Sequence, residues 1–457
     1  MTARWSGARV LLLGLARTSV ALGTHLARQG ARVTVVDDAS GPAQRAAATA
    51  VEAIPARALL GNTSESLLDD ADILFVTPGI ARSHPLVAAA KQRGLPVSSE
   101  IELVFSECPL PITGVTGSAG KTTTTTLVER ILAAASLPRL VGGNIGRPIV
   151  GQISSITPDA RVILELSSFQ LEHLRRSAAI GVILNVMPNH LDRHPTLDDY
   201  RAAKGRLIEF QSEDDLAILN ADDPASQALA RTGDGRRLWF STERTLNRGA
   251  WLDRDALRIA TDEAEGVLCC VGDLRVPGMH NAQNALAAAL IALSVGAPID
   301  AIRATLLAFE GIEHRIEFVR EIDGVRWFND SKATAPAETI AALRAFADPV
   351  IILAGGRSKR VALDDLAREM VARGRVIILF GEMRHEIAEA LDGCSRPIHS
   401  VASLRDAVAL ANALAIPGDT VLLSPSGSSF DEFQNFEERG HFFKELVGAL
   451  RSVAVPA

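Results

Sequence analysis

Lys121 and Thr122 close a glycine-rich run, Gly114-Val-Thr-Gly-Ser-Ala-Gly-Lys-Thr122, whose residue types suit the holding of a polyphosphate. An apolar stretch, Ile112–Thr116, precedes the loop, and Leu127, Val128, Ile131, Leu132 and Ala135 follow at helical spacing. A strand feeding a glycine loop and then a helix N-terminus makes an anion site, because free backbone N–H groups and the helix dipole face the ligand. Gly117, Ser118 and Gly120 would shape the loop around ATP. Lys121 would meet the β- and γ-phosphates, and Thr122 would bind Mg²⁺ with Thr123 beside it. The strict phosphate-loop pattern has glycine six residues before the lysine, and Val115 stands there instead.

Two further segments carry residue types suited to a metal beside such a loop. Glu165 ends the apolar run Val162-Ile-Leu164. An acid at a strand end near phosphates is a sensible Mg²⁺ ligand, since Mg²⁺ prefers carboxylate and phosphate oxygens. Asn189-His190-Leu191-Asp192 follows the next apolar run, which also puts His190 at a strand end. Lys204 lies in a helical segment that opens with a capping-box pattern, Thr196 and Asp199. At about 100° per residue, Leu197, Tyr200, Leu207 and Ile208 share one face, with Lys204 in its middle. A lysine on a buried face must snorkel, pair, shift its pKa or be modified.

Positioning these groups requires elements that end at one edge. The apolar runs are Arg9–Leu13, Arg32–Val36, Ile73–Val76, Ala160–Leu166, Gly181–Leu184, Leu216–Leu219, Val350–Leu353, Val376–Phe380 and Thr420–Leu423, and helical patterns alternate with them. This predicts an α/β protein with doubly wound, mostly parallel sheets. Asp37, Thr77, Glu165, Asn185, Asp330 and Ser424 stand at the carboxyl ends of the runs, the edge along which open parallel sheets bind ligands. A chain of 457 residues suits about three domains. Cys108-Pro-Leu-Pro111 breaks helical continuity before the glycine loop, and a second break lies near Gly311. The expected domains are therefore 1–108, 109–311 and 312–457.

Composition narrows the function classes. Apolar residues make up 47% of the chain, enough for full cores, and the formal charge of −7 argues against a nucleic-acid or anionic-membrane binder. Cys108, Cys269, Cys270 and Cys394 show no CxxC spacing, which predicts reduced thiols. Val10–Leu13 after Arg4 and Arg9 loosely resembles a leader, but Arg17, Thr18 and His25 interrupt it, and a strand, turn and helix are expected. Without eighteen uninterrupted apolar residues, no membrane span is expected. A cytoplasmic monomer is the expectation.

The misfit at Val115 is itself a pattern. Gly-x-Thr-Gly-[Ser/Thr]-Asn-Gly-Lys-[Ser/Thr] is the loop of the Mur ligase and folylpolyglutamate synthase superfamily. This chain resembles it at every position except Ala119, where Asn is usual. Gly143-Asn-Ile-Gly146, Glu165-Leu-Ser-Ser-Phe-Gln-Leu-Glu172, Asn329-Asp-Ser-Lys-Ala-Thr334 and Asn435-Phe-Glu-Glu-Arg-Gly440 together resemble the D-glutamate-adding branch of the Mur ligases along nearly the whole chain. The resemblance implies a central phosphate-loop ATPase-type domain flanked by two Rossmann-like domains. It also implies an ADP-forming ligase that joins D-glutamate to UDP-N-acetylmuramoyl-L-alanine through an acyl phosphate, with two Mg²⁺ ions.

The same resemblance implies residue roles. Lys204 matches a lysine carboxylated by CO₂, whose carbamate is a metal ligand, and Thr122, Glu165 and His190 complete the metal site. Lys121, Glu165, His190 and Lys204 form the catalytic group. Asn281, Asn284, Arg315 and Asp330 match nucleotide contacts. Thr18, Asp37, Asp38, Thr77, Gly79, Asn144 and His190 match the UDP-substrate side. Lys332, Thr334, Lys359, Ser429 and Phe436 match the glutamate side. Ala119, Ala335 in place of Asn, and Ser426-Gly427-Ser428 in place of Ala-Cys-Ala depart from the family, and the last two bear on amino-acid choice more than on ATP use. A ligase for L-glutamate, a folylpolyglutamate-type ligase and a nucleotide-regulated binding protein remain the alternatives. A dehydrogenase fits less well, because the dinucleotide glycine pattern is missing.

Overall fold

The computed structural model describes residues 4–146, 148–187, 194, 196–276, 278–346, 348–358 and 361–451. The chain forms two compact units. The first holds Met1–Leu274 with Met279–Leu307, and the second holds Arg275–Gly278 with Ala308–Ala457.

The first unit contains two sheets. One is built from β1 (Arg9–Leu13), β2 (Arg32–Asp37), β3 (Ala56–Leu60), β4 (Ile73–Val76) and β5 (Val97–Ser98) in the order β3-β2-β1-β4-β5, all parallel. The order reverses between β1 and β4, which opens a crevice above their carboxyl ends. The larger sheet holds β6 (Ile112–Thr116), β7 (Arg139–Gly143), β8 (Arg161–Glu165), β9 (Ile180–Ile183), β10 (Leu216–Asn220), β11 (Arg236–Ser241), β12 (Gly249–Asp253), β13 (Ala256–Ala260) and β14 (Glu265–Cys270). Its order is β14-β13-β12-β11-β10-β9-β6-β8-β7, parallel from β7 to β12 and antiparallel through β13 and β14. Fully buried strands need near-continuous apolar runs, and β8, β9 and β10 have them. Helix Lys121–Ala134 packs against the alanine-rich helix Met279–Ser294.

The second unit carries β15 (Glu317–Ile322), β16 (Val325–Asn329), β17 (Val350–Gly355), β18 (Gly374–Phe380), β19 (Ile398–Ser400) and β20 (Thr420–Ser426) in the order β15-β16-β20-β17-β18-β19. Only the β15–β16 hairpin is antiparallel. Separate cores cover its two faces, one around Trp327 and Phe443 and the other around Phe328, Met370 and Leu422. All ten expected strands are present, Ile112–Thr116 among them, with ends shifted by a few residues at most. The mostly parallel sheets are therefore as expected, and the antiparallel edge β12–β14 adds to them.

Candidate active site

The central sheet delivers its polar residues to the carboxyl ends of β6, β8 and β9. After β6 the chain turns through Gly117–Gly120 into helix Lys121–Ala134. Gly120 has a φ of +83°, and a Cβ there would lie 2.3 Å from Asn284 Oδ1, so the turn requires glycine. Asn284 also accepts from Thr124 Oγ1 at 3.4 Å and donates to Asn281 Oδ1 at 3.4 Å, which sets both asparagines beside the loop. Lys121 Nζ donates to Gly117 O at 2.8 Å and to Ser118 O at 3.3 Å. Thr122 and Thr123 are half-buried at the start of the helix.

Lys204 reaches the same loop from helix Leu197–Glu209. The capping box of Thr196 and Asp199 starts that helix, as its sequence predicts. Lys204 is 1% exposed, and its Nζ donates to Gly117 O at 2.9 Å and Thr116 Oγ1 at 3.3 Å. The Tyr200 ring lies 4.6 Å from the ammonium, and the Tyr200 hydroxyl accepts from Ser118 Oγ at 3.2 Å. Burial, and then the neighbouring Lys121 charge, pull the Lys204 amine well below the usual lysine range. Leu197 departs from the expected buried face: it is 40% exposed, because the first turn of the helix stands at the surface.

Glu165, at the end of β8, is 1% exposed. Its Oε1 accepts from Asn144 Nδ2 at 2.9 Å, and Asn144 N donates to Glu165 O at 2.8 Å. The second carboxylate oxygen, Oε2, is buried without a hydrogen-bond partner among the described residues. A buried carboxylate oxygen left unsatisfied is costly, and a cation is what its chemistry suits. His190 lies outside the described residues. His194, which the sequence did not single out, is buried against Ser168 Oγ at 3.0 Å and stacks on Phe169.

The N-terminal crevice gathers most of its expected set. Gly14 has a φ of +95°, and a Cβ there would come 2.1 Å from Thr77 Oγ1. Thr77 Oγ1 donates to Leu13 O at 3.2 Å. Asp37 accepts Leu15 N–H at 2.7 Å and Ala39 N–H at 2.8 Å, so its carboxylate clasps the turn after β1. Asp38 accepts from Thr63 Oγ1 and bonds His84 Nε2 at 2.8 Å; Thr63 first and His84 second hold its carboxyl below the usual range. Thr18 is half-buried in the first turn of helix Arg17–Arg28, and Gly79 is exposed beyond β4.

In the second unit, Asp330 follows β16 and is 5% exposed, accepting from Ser424 Oγ at 2.7 Å and Ile316 N–H at 3.2 Å. Burial pushes its carboxyl up to about 7, against the pull of Ser424 and Arg315. Lys332 N donates to His314 O at 3.1 Å, and Thr334 N donates to Glu338 Oε2 at 2.8 Å. Ser331 Oγ donates to Phe436 O at 2.8 Å. Arg439, fully buried, donates to Ser331 Oγ at 3.0 Å, Ser331 O at 2.8 Å and Gly427 O at 3.1 Å. One guanidinium thus joins the segments that carry Lys332, Ser429 and Phe436, and its motif had marked it without a role. Ser429 is 2% exposed. Lys359 lies outside the described residues.

The description "Mur ligase middle domain" matches residues 115–292, "Mur ligase, glutamate ligase domain" matches 314–427, and "Mur ligase MurD-like, N-terminal domain" matches 8–99. The UDP-N-acetylmuramoylalanine--D-glutamate ligase of Symbiobacterium thermophilum is 44% identical over 453 residues, covering 97% of this chain and 98% of that protein. The chain belongs to the Mur ligase family. The same-named ligase of Clostridium kluyveri is 39% identical, covering 96% of each chain. Among solved structures, the fold of the Mur ligases recurs in UDP-N-acetylmuramate-alanine ligase of Thermotoga maritima at TM-score 0.56, with 19% identity over 96% of this chain and 99% of that one. MurF ligase from Thermotoga maritima, determined in complex with ADP, gives TM-score 0.57, with 17% identity over 95% of this chain and 97% of that one.

Proposed function

We propose that this Mur ligase uses ATP to join D-glutamate to the alanine carboxylate of UDP-N-acetylmuramoyl-L-alanine, releasing ADP and phosphate, in peptidoglycan precursor synthesis in the cytoplasm. The observation that carries this reading is the 44% identity to a ligase of that name across nearly the full length of both chains. The MurD-like N-terminal match favours a UDP-linked substrate over a folate. We place the domain limits at 1–108 for the UDP-substrate, 109–311 for ATP and 312–457 for the amino acid. Among the described residues no helix is long and apolar enough to cross a membrane, and we take the enzyme to act as a monomer.

The reaction has two stages. The alanine carboxylate attacks the γ-phosphorus; a new P–O bond forms and the bond to the β-phosphate oxygen breaks, giving an acyl phosphate and ADP. The neutral glutamate amine then attacks the acyl carbon through a tetrahedral adduct. The C–O bond to phosphate breaks, and the nitrogen loses a proton. Such transfers depend on positioning and charge neutralisation. Lys121, now resting on Gly117 O, would turn toward the γ-phosphate. Asn281, Asn284, Arg315 and Asp330 would contact the nucleotide. Thr18, Asp37, Asp38, Thr77 and Gly79 would border the UDP moiety, with Asn144 on the sugar side. Lys332, Thr334, Lys359, Ser429 and Phe436 would hold glutamate.

The donor set fits Mg²⁺: Thr122, Glu165 with its unsatisfied oxygen, His190 and a carbamate on Lys204 would hold it. When bound, the metal supplies positive charge to the transferring phosphoryl group. Lys204 suits carbamate formation because its buried amine releases its proton readily, and the neutral nitrogen can add to CO₂. The deciding experiment is phosphate release with UDP-N-acetylmuramoyl-L-alanine while D-glutamate, L-glutamate and other amino acids are scanned. Release with D-glutamate is expected; none with any glutamate would sink the assignment, and preference for L-glutamate would correct its stereochemistry.

A further inference from the structure

Ala119 stands where the loop pattern that this chain resembles has an asparagine, yet the backbone at that position is not left to solvent. Asn185, two residues beyond β9, takes it with both ends of its carboxamide. Ala119 N donates to Asn185 Oδ1 at 2.9 Å, and Asn185 Nδ2 donates to Ala119 O at 3.2 Å. The main chain joins in: Leu184 N donates to Thr116 O at 2.9 Å, and Ser118 N donates to Asn185 O at 2.9 Å. The ladder between β6 and β9 therefore continues past both strands, into the loop itself.

The segment that grips the loop is gripped in turn. Asn220 Nδ2, at the end of β10, donates to Leu184 O at 2.9 Å, and Val186 N donates to Asp223 Oδ2 at 3.3 Å. Ser118 Oγ accepts Met187 N–H at 2.9 Å. Asn185 is the only one of these side chains that satisfies both the backbone donor and the backbone acceptor of a single loop residue. The two groups belong to the peptide units on either side of the Ala119 Cα, so neither unit can turn about φ or ψ of Ala119 without losing its bond to Asn185.

We propose that Asn185 is a positioning residue for the nucleotide: by holding both the N–H and the C=O of Ala119, it fixes the loop conformation that receives the polyphosphate. This rests on the reading that the loop binds ATP. Asn185 acts through the loop, without bonding the reacting atoms. The shape it enforces is present before nucleotide arrives, so its loss is felt in nucleotide affinity ahead of chemistry.

The test compares Asn185→Ala and Asn185→Asp with the unmodified chain, using the KM values of all three substrates and calorimetric titration of Mg-ADP. Asn185→Ala raises the KM for ATP and the Kd for ADP about tenfold or more, while the KM for glutamate stays within about twofold. Asn185→Asp is nearly isosteric and keeps the acceptor for Ala119 N–H, so a purely architectural role makes it the milder change. The proposed role makes it the harsher one, because it loses the donor and sets a negative charge beside the phosphates. A folded Asn185→Ala with ATP and ADP parameters within about twofold of the parent overturns the proposal, as does a milder Asn185→Asp. Should Asn185→Ala not fold, the isosteric Asn185→Asp with unchanged ADP affinity overturns it equally. Normal ADP binding by the parent chain without any phosphate release would count against the ligase assignment and leave this proposal testable by ADP alone.

Discussion

A lysine that is 1% exposed and whose described hydrogen bonds go to one hydroxyl and one carbonyl is an expensive residue to keep. Leucine or methionine would fill the space on helix Leu197–Glu209 at lower cost. What the site has instead is an amine with a depressed pKa at the foot of a nucleotide loop, and the strand leading into that loop pairs with the strand of Glu165, whose Oε2 has no hydrogen-bond partner among the described residues. Addition of CO₂ with loss of a proton would turn the amine into an anion, removing a buried cation and creating a metal ligand in one step. Lys204→Ala is therefore expected to lower kcat by at least about a hundredfold, and short-chain carboxylic acids added to the assay should restore part of it. Lys204→Arg keeps charge and length but cannot form a carbamate, since guanidinium stays protonated. It should be as inactive as the alanine variant and resist rescue. Unchanged turnover in either variant would reduce Lys204 to a packing residue.

At the scale of elements, the departure at Ala335 acquires a structural meaning. Ala335 is the N-cap of helix Pro336–Arg344, with an extended backbone (φ −141°, ψ 151°) and no side chain to accept from the first turn. Asn, the usual residue there, is among the best caps, and restoring one is worth about 1 kcal/mol. Ala335→Asn should thus raise the melting temperature by a few degrees; an unchanged or lower one would show that the first-turn N–H groups are already served, as Glu338 N is by Ala335 O at 3.1 Å. The strands that hold the site were legible because apolar runs such as Ile163-Leu164 and Ile351-Ile352-Leu353 are buried on both faces and bounded by turn residues. The edge β12–β14 was not, because its strands are only partly buried and lack a continuous apolar run, with Arg258 in β13 and Glu265 in β14. Lys204 could be read from helical periodicity. The hold of Asn185 on Ala119, 66 residues away, and of Arg439 on Ser331, 108 residues away, could not, since local pattern carries no information about such partners.

At the scale of the whole molecule, the two sheets of the first unit share one core: Trp5, Leu12 and Val104 belong to the same cluster as Ile149, Leu171 and Leu207. Polar contacts cross the same junction. Arg175 N donates to Glu102 Oε2 at 2.9 Å, and Arg82 pairs with Glu172 at 3.2 Å. Glu100 sits deepest there, 5% exposed, accepting Val150 N–H at 3.4 Å. Burial pushes its carboxyl up to about 7, against the N–H groups of Val150 and Ile149 that pull it down. In the unfolded chain a glutamate titrates near about 4.3. Between these values the folded protein keeps a proton that the unfolded chain has released, so stability falls as pH rises through that window, and the loss is complete above the folded value. Its ceiling is on the order of 4 kcal/mol. Glu100→Gln keeps an acceptor for Val150 and cannot ionise. Near pH 5, roughly the start of the window, the variant should match the parent, whereas near pH 8 it should unfold several degrees higher. A difference in melting temperature that does not change with pH would mean that Glu100 titrates in the fold as it does in the open chain, and that the junction between the two sheets carries no pH dependence of its own.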